Sequence, residues 1–226
     1  MATYVLVHGA WGGGWLWSPI ARALRSAGHD VWVPTLTGLG ERIHLASPAI
    51  DLSVHIRDVA NVIDYENLTD VILVGHSYGG MVITGVAGVM ADRLRALFYL
   101  DAFLPRDGEA LWDIADDDAR RHYIDGQRAH PGMVAAFFDQ AGSRSKLSPH
   151  PLLTLTEPVA TGGAEDRVAN RTYVYATRDA PTVFTKFHER VGADPAWKVR
   201  TVDTGHVVMA EDPEGLTALL LEEAAR

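Results

Sequence analysis

The chain has 226 residues, enough to bury the core of one domain, and its 47% apolar and 22% charged content is that of an ordinary globular protein. Twenty basic residues against 29 acidic ones leave a net charge of −9, and no basic stripe is present, which argues against a nucleic-acid partner. There is no cysteine, so disulfides, thiolate metal sites and a cysteine nucleophile are excluded, and no apolar run approaches the roughly 20 residues of a membrane span.

Residues 1–7 enter a strand, Thr3–Val7, without a basic leader or a cleavage site, so a cytoplasmic location is expected. A glycine-rich loop follows, and then a helix from Ser18 to Ala27, with Pro19 in its first turn and Gly28 at its end. His29–Val33 reads as the next strand and Leu52–Tyr65 as an amphipathic helix. Val71–Val74, Leu97–Leu100, Tyr173–Ala176 and Trp197–Val202 are further short apolar or β-branched strands, and Asp212 and Pro213 open a last helix running to Arg226. Six strands separated by helices predict a mostly parallel sheet covered on both faces.

One segment breaks the alternation. From Pro105 to about Arg167 the chain carries an acidic stretch (Asp113, Asp116, Asp117, Asp118) and helical patterns around Trp112–Tyr123 and Gly132–Ala141. An insertion after the strand ending at Asp101 would lie over the carboxyl edge of the sheet as a helical cap. The acidic run reads as a solvated helix end. The expected organisation is one domain over 1–226, with a core of about 1–104 and 168–226 and a cap of about 105–167.

The chemistry concentrates at Gly75-His76-Ser77-Tyr78-Gly79. An apolar strand precedes this G-x-S-x-G, and a helix with small residues on its packing face, Gly80–Ala87, follows it. That is the context of a nucleophile elbow, in which a strained turn exposes the serine hydroxyl. Of the ten histidines, His206 is the best placed to activate Ser77, because it lies in the loop after the last strand. His8 reads as a loop brace and His76 as structural. His29, His44, His55, His122, His130, His150 and His188 read as surface or cap residues. A carboxylate should orient the imidazole. Asp179 follows the strand Tyr173–Ala176 and gives the chain order serine, acid, histidine; Asp101, at the end of an earlier strand, is its rival. Backbone N–H groups of Tyr78 and of Ala10, in the loop His8–Trp15, are the expected oxyanion donors. That loop matches neither G-x-G-x-x-G nor a P-loop, and no H-E-x-x-H spacing occurs, so no cofactor and no metal are expected. Trp11, Phe103 and Trp112 are candidates for an apolar pocket.

His8-Gly9-Ala10-Trp11, Pro34 to Arg42 (PTLTGLGER), Gly75 to Val82 (GHSYGGMV) and Leu100 to Pro105 (LDAFLP) together resemble the bacterial α/β-hydrolases of the pyrethroid-hydrolase type, relatives of plant methylesterases and hydroxynitrile lyases. The resemblance spans nearly the whole chain. It implies the α/β-hydrolase fold, with Ser77, Asp179 and His206 as triad and Ala10 and Tyr78 as oxyanion donors. Hydroxynitrile lyases of this group carry a threonine beside the oxyanion loop and a lysine after the catalytic histidine; here Gly9 and Val207 stand at those positions. The resemblance therefore implies a hydrolase of small apolar or aromatic esters, including xenobiotic ones. Carbamate, amide or lactone cleavage by the same residues is the alternative, and a ligand receptor of the same fold is a second class. The partner is a small molecule in each case.

Overall fold

The computed structural model describes residues 1–136 and 146–226. Its frame is a six-stranded sheet built from β1 (Thr3–Val7), β2 (Asp30–Trp32), β3 (Val71–His76), β4 (Leu94–Leu100), β7 (Asn170–Ala176) and β8 (Trp197–Val202), ordered β2-β1-β3-β4-β7-β8. Every neighbouring pair is parallel. Among the described residues, the α-helices and the other strands are, in chain order, helices α1 (Ser18–Ser26), α2 (Leu52–Tyr65), α3 (Gly79–Met90), α4 (Leu111–Ile114) and α5 (Asp117–Asp125), strands β5 (Met133–Val134) and β6 (His150–Pro151), and helices α6 (Leu153–Thr156), α7 (Thr185–Gly192), α8 (Val208–Glu211) and α9 (Pro213–Ala224).

Alternation along the strands sends side chains to two cores. Tyr4 and Leu6 of β1, with Ile72, Val74 and Phe98, pack against Ile20 and Leu24 of α1 and Leu216 and Leu220 of α9. On the opposite face Val5, Val7, Leu73 and Tyr99 meet Val59 and Ile63 of α2 and Val82 and Val86 of α3. The helices start where local chemistry dictates. Asp51 accepts the Val54 N–H at 2.9 Å to open α2, and Asp212 accepts that of Gly215 at 2.9 Å beside Pro213 to open α9.

Between β4 and β7 the chain adds α4, α5, the β5–β6 pair and α6. The expected helix Trp112–Tyr123 is two helices. Ala115 turns extended (ψ 153°), and Asp116 then restarts the helix by accepting the Ala119 N–H at 2.8 Å. Asp117 and Asp118 pair with Arg120 and Arg121 three residues on. The expected helix Gly132–Ala141 is not formed at its start: Met133–Val134 pairs antiparallel with His150–Pro151, and the remainder from 137 onward lies outside the described residues. Among the described residues, no helix is long and apolar enough to cross a membrane.

Candidate active site

Ser77 follows β3 directly and takes φ +55°, a left-handed conformation that a non-glycine residue adopts only under constraint. The constraint is visible. The Ser77 N–H donates to Leu100 O at 3.3 Å, and Ser77 O accepts from Gly80 and Phe103 at 3.0 and 3.1 Å. The two motif glycines are obligatory at this turn. A Cβ on Gly75 would lie 2.6 Å from Gly79 O, and one on Gly79 would lie 2.8 Å from Val7 O.

His206 sits in the loop between β8 and α8 with its Nδ1 2.7 Å from Asp101 Oδ2. Asp101, not Asp179, is therefore the carboxylate on the imidazole. Register explains why Asp101 takes this place. His76 is paired with Leu100, and Leu100 with Val174, so the residue after β4 emerges directly beside the residue after β3. Asp101 is 1% exposed, and its other oxygen accepts the Ala176 N–H at 3.2 Å. Asp179 lies three residues past the end of β7, is solvent-exposed, and shares no hydrogen bond with His206. It faces the same cavity from the rim.

With Nδ1–H donated to a carboxylate, the Nε2 of His206 keeps the lone pair that a general base needs. Two further contacts hold the ring and its loop. Phe184 stacks on the imidazole, with centroids 4.8 Å apart and planes 10° from parallel, and the Nε2–H of His76 donates to His206 O at 2.9 Å. His76 thus braces the loop that carries His206.

Ala10 and Tyr78 are both buried, and among the described residues neither N–H is tied into a backbone hydrogen bond. Gly9 brings the Ala10 loop against the elbow, since a Cβ built on Gly9 would lie 2.9 Å from Ser77 Cβ. His8 braces that loop from below: its Nδ1–H donates to Gly9 O at 2.8 Å, and its Nε2 accepts the Leu36 N–H at 3.1 Å. His55 and His150, expected at the surface or in a cap, are fully buried beside this loop. His55 accepts from the Tyr78 hydroxyl at 2.9 Å and donates to Thr37 O at 3.0 Å. The partners that bury them, Tyr78 and Thr37 for His55 and Trp11 for His150, lie far along the chain, so sequence pattern alone could not place them.

These imidazoles make stability depend on pH. Burial pushes His8 and His55 down to about 4, and holds His76 and His150 well below the ordinary 6.5. The unfolded chain therefore binds more protons than the folded one between the ordinary value and the lowered one. Their contribution is complete above about pH 6.5 and declines as pH falls, by about 1.4 kcal/mol per pH unit for each imidazole until its own value is passed. Urea unfolding between pH 6 and 5 should report uptake of at least about two protons, and His55→Gln should remove about one of them.

A cavity of about 710 Å³ opens over Ser77 and His206. Trp11 and Phe103, both expected, line it together with Tyr123, Val183 and Phe184, while Asp116, Asp118, Asp179 and Glu211 also face it. Trp112 does not belong to the lining. It packs against the adjoining core, its ring 6.4 Å from that of Tyr123. Tyr123 and Phe184 were not legible as pocket residues, since an apolar side chain on a short helix or loop carries no mark of which void it faces.

A parallel sheet with a strained serine after β3 and a histidine after β8 is the architecture of an α/β-hydrolase. Comparison with known proteins agrees. The model of the alpha/beta hydrolase family matches residues 4–219. The chain is 40% identical over 238 residues to the carbendazim hydrolyzing esterase of Nocardioides sp. (strain SG-4G), with 97% of this chain and 98% of that protein covered. It is 26% identical over 254 residues to salicylic acid-binding protein 2 of Nicotiana tabacum, covering 98% and 96%. Among solved structures, an extracellular alpha/beta-hydrolase from a Paenibacillus species superposes with a TM-score of 0.86 at 22% identity, covering 99% of both chains. A pyrethroid hydrolase from Sphingobium faniae JZ-2 superposes with a TM-score of 0.78 at 19% identity, covering 99% and 97%. The chain belongs to the alpha/beta hydrolase family and is a hydrolase of the esterase class.

Proposed function

We propose that the protein is a serine esterase acting through an acyl-enzyme on small, apolar or aromatic esters. The observation that carries this reading is that His206, its Nδ1 2.7 Å from the buried Asp101 carboxylate, lines one cavity with a strained Ser77. Ser77 Oγ attacks the ester carbonyl as His206 Nε2 takes its proton, and the carbonyl oxygen becomes an oxyanion facing the N–H groups of Ala10 and Tyr78. Collapse of this intermediate breaks the bond to the alcohol, which leaves with the proton from His206. Water, deprotonated by the same nitrogen, then attacks the acyl-serine, and the carboxylic acid departs as Ser77 recovers its proton. Asp101 stays ionised and stabilises the imidazolium formed in each half. Each oxyanion donor is worth on the order of 3 kcal/mol in the transition state.

The aromatic walls of Trp11, Phe103, Tyr123 and Phe184 favour a flat or apolar acyl or alcohol group. The 40% identity with the carbendazim hydrolyzing esterase favours a second reading on the same residues, cleavage of a carbamate such as carbendazim. Gly9 leaves no room for a threonine side chain beside Ser77, and Val207 supplies no cation at the cavity to stabilise departing cyanide. A panel of p-nitrophenyl esters of graded chain length, carbendazim, a pyrethroid and mandelonitrile tests the assignment. Ester or carbamate hydrolysis that is unchanged by EDTA, with mandelonitrile cleaved no faster than background, is expected. Cyanide release without hydrolysis of any panel member would overturn it.

A further inference from the structure

His150 lies on β6, in the insertion between β4 and β7, and its ring is completely buried. Its Nδ1 accepts the Trp11 N–H at 3.3 Å. Its Nε2–H donates to Thr154 Oγ1 at 2.7 Å, and that hydroxyl donates onward to Pro151 O at 2.7 Å. The two bonds require one neutral tautomer and use both ring nitrogens. The ring also meets Tyr78 edge-on, with centroids 4.7 Å apart, and lies 5.7 Å from the ring of Trp11.

Trp11 and Tyr78 flank the two oxyanion donors, since Trp11 follows Ala10 and Tyr78 carries the second N–H itself. Trp11 takes φ +61°, which a tryptophan adopts only when its surroundings impose it. The insertion imposes it from three directions. His150 takes the Trp11 N–H, Ser148 N–H donates to Trp11 O at 2.9 Å, and the indole Nε1–H donates to Val134 O at 2.8 Å. Of these, His150 alone also presses on the other half of the hole, through the Tyr78 ring.

We infer that His150 is a positioning residue that clamps the Ala10–Trp11 loop to the elbow, so that the insertion sets the geometry of the oxyanion hole. Its acceptor at Nδ1 keeps the peptide after Ala10 in the orientation that leaves the Ala10 N–H aimed at the substrate oxygen. Because the oxyanion exists only in the transition state and the intermediates, loosening this clamp lowers kcat and leaves KM nearly unchanged. The inference rests on the serine-esterase reading.

Two near-isosteres divide the functions of the ring. His150→Asn places an amide oxygen near the Nδ1 position and can still accept the Trp11 N–H. His150→Gln reaches the Nε2 position and can still serve Thr154, but offers Trp11 nothing. His150→Leu serves neither. With a p-nitrophenyl ester, His150→Gln and His150→Leu should lose about ten- to a hundredfold in kcat, somewhat less than deletion of a whole oxyanion donor, while His150→Asn stays within about threefold of wild type. Affinity for a trifluoromethyl ketone, which forms a tetrahedral adduct on the serine, should fall in the same proportion as kcat. Melting temperatures, which a merely structural role would move, should not follow that order. Equal kcat for His150→Asn and His150→Gln, or losses that track melting temperature across the three variants, would overturn the positioning role. Wild-type enzyme that a fluorophosphonate fails to label at Ser77 would overturn the serine reading instead, and labelling in wild type separates the two failures.

Discussion

Asp101→Asn should lower kcat by up to about 10⁴-fold, the size of the corresponding loss in serine proteases, whereas Asp179→Asn should change it by less than about tenfold. The buried Asp101 carboxylate takes the Nδ1–H of His206 at 2.7 Å and the Ala176 N–H at 3.2 Å. An asparagine can keep the backbone bond through its carbonyl, so the turn after β4 should stay folded. Its amide then donates to Nδ1, which forces the imidazole proton onto Nε2 and removes the base. Asp179 stands in solvent at the cavity rim, where an amide has nearly the same shape and little to disturb. Steady-state kinetics on both variants, with circular dichroism to verify folding, measure the contrast. The reverse ranking would return the acid to the loop after β7.

Ser77→Ala should cost about 10³-fold or more in turnover and leave the fold intact. Only Oγ is lost, and alanine tolerates φ +55° no better and no worse than serine, so the elbow keeps its strain. Ser77→Gly removes the same oxygen and also relieves the strain. It should be equally inactive yet more stable than Ser77→Ala by about 1 kcal/mol in urea unfolding. A pair that is matched in activity and separated in stability would show that strain is stored at the nucleophile. Retained activity in folded Ser77→Ala would contradict a serine mechanism.

Much of the frame was legible because local chemistry decides it. Thr3–Val7 and Leu52–Tyr65 form over the residues their patterns define, one alternating between two cores and the other opened by the Asp51 cap. Ser77 was legible because its motif carries its own context, strand before and small-residue helix after. The acid was harder to read. Chain order pointed to Asp179, but what decides is which strand ends beside β3, and that is a matter of sheet order and register. The available signal was that Asp101 directly follows a strand while Asp179 follows one at a distance. The burial of His55 and His150 has no local signal, because a polar residue is legible as buried only when its partners are known. Those partners, Tyr78 for His55 and Trp11 for His150, are remote in sequence. In the insertion, Trp112–Tyr123 reads as one helix because Ala115 carries no breaker signal; only the cap on Asp116 marks the restart.

The covalent intermediate is the claim on which the rest depends, and it can be trapped. Acid quenching in the first turnovers of a p-nitrophenyl ester, followed by peptide mass spectrometry, should find the acyl mass on the peptide containing Ser77. The amount should match the burst of p-nitrophenol, and Ser77→Ala should show neither. Full-rate turnover with neither acyl mass on Ser77 nor a burst, for short-chain, long-chain and hindered p-nitrophenyl esters alike, would contradict the account.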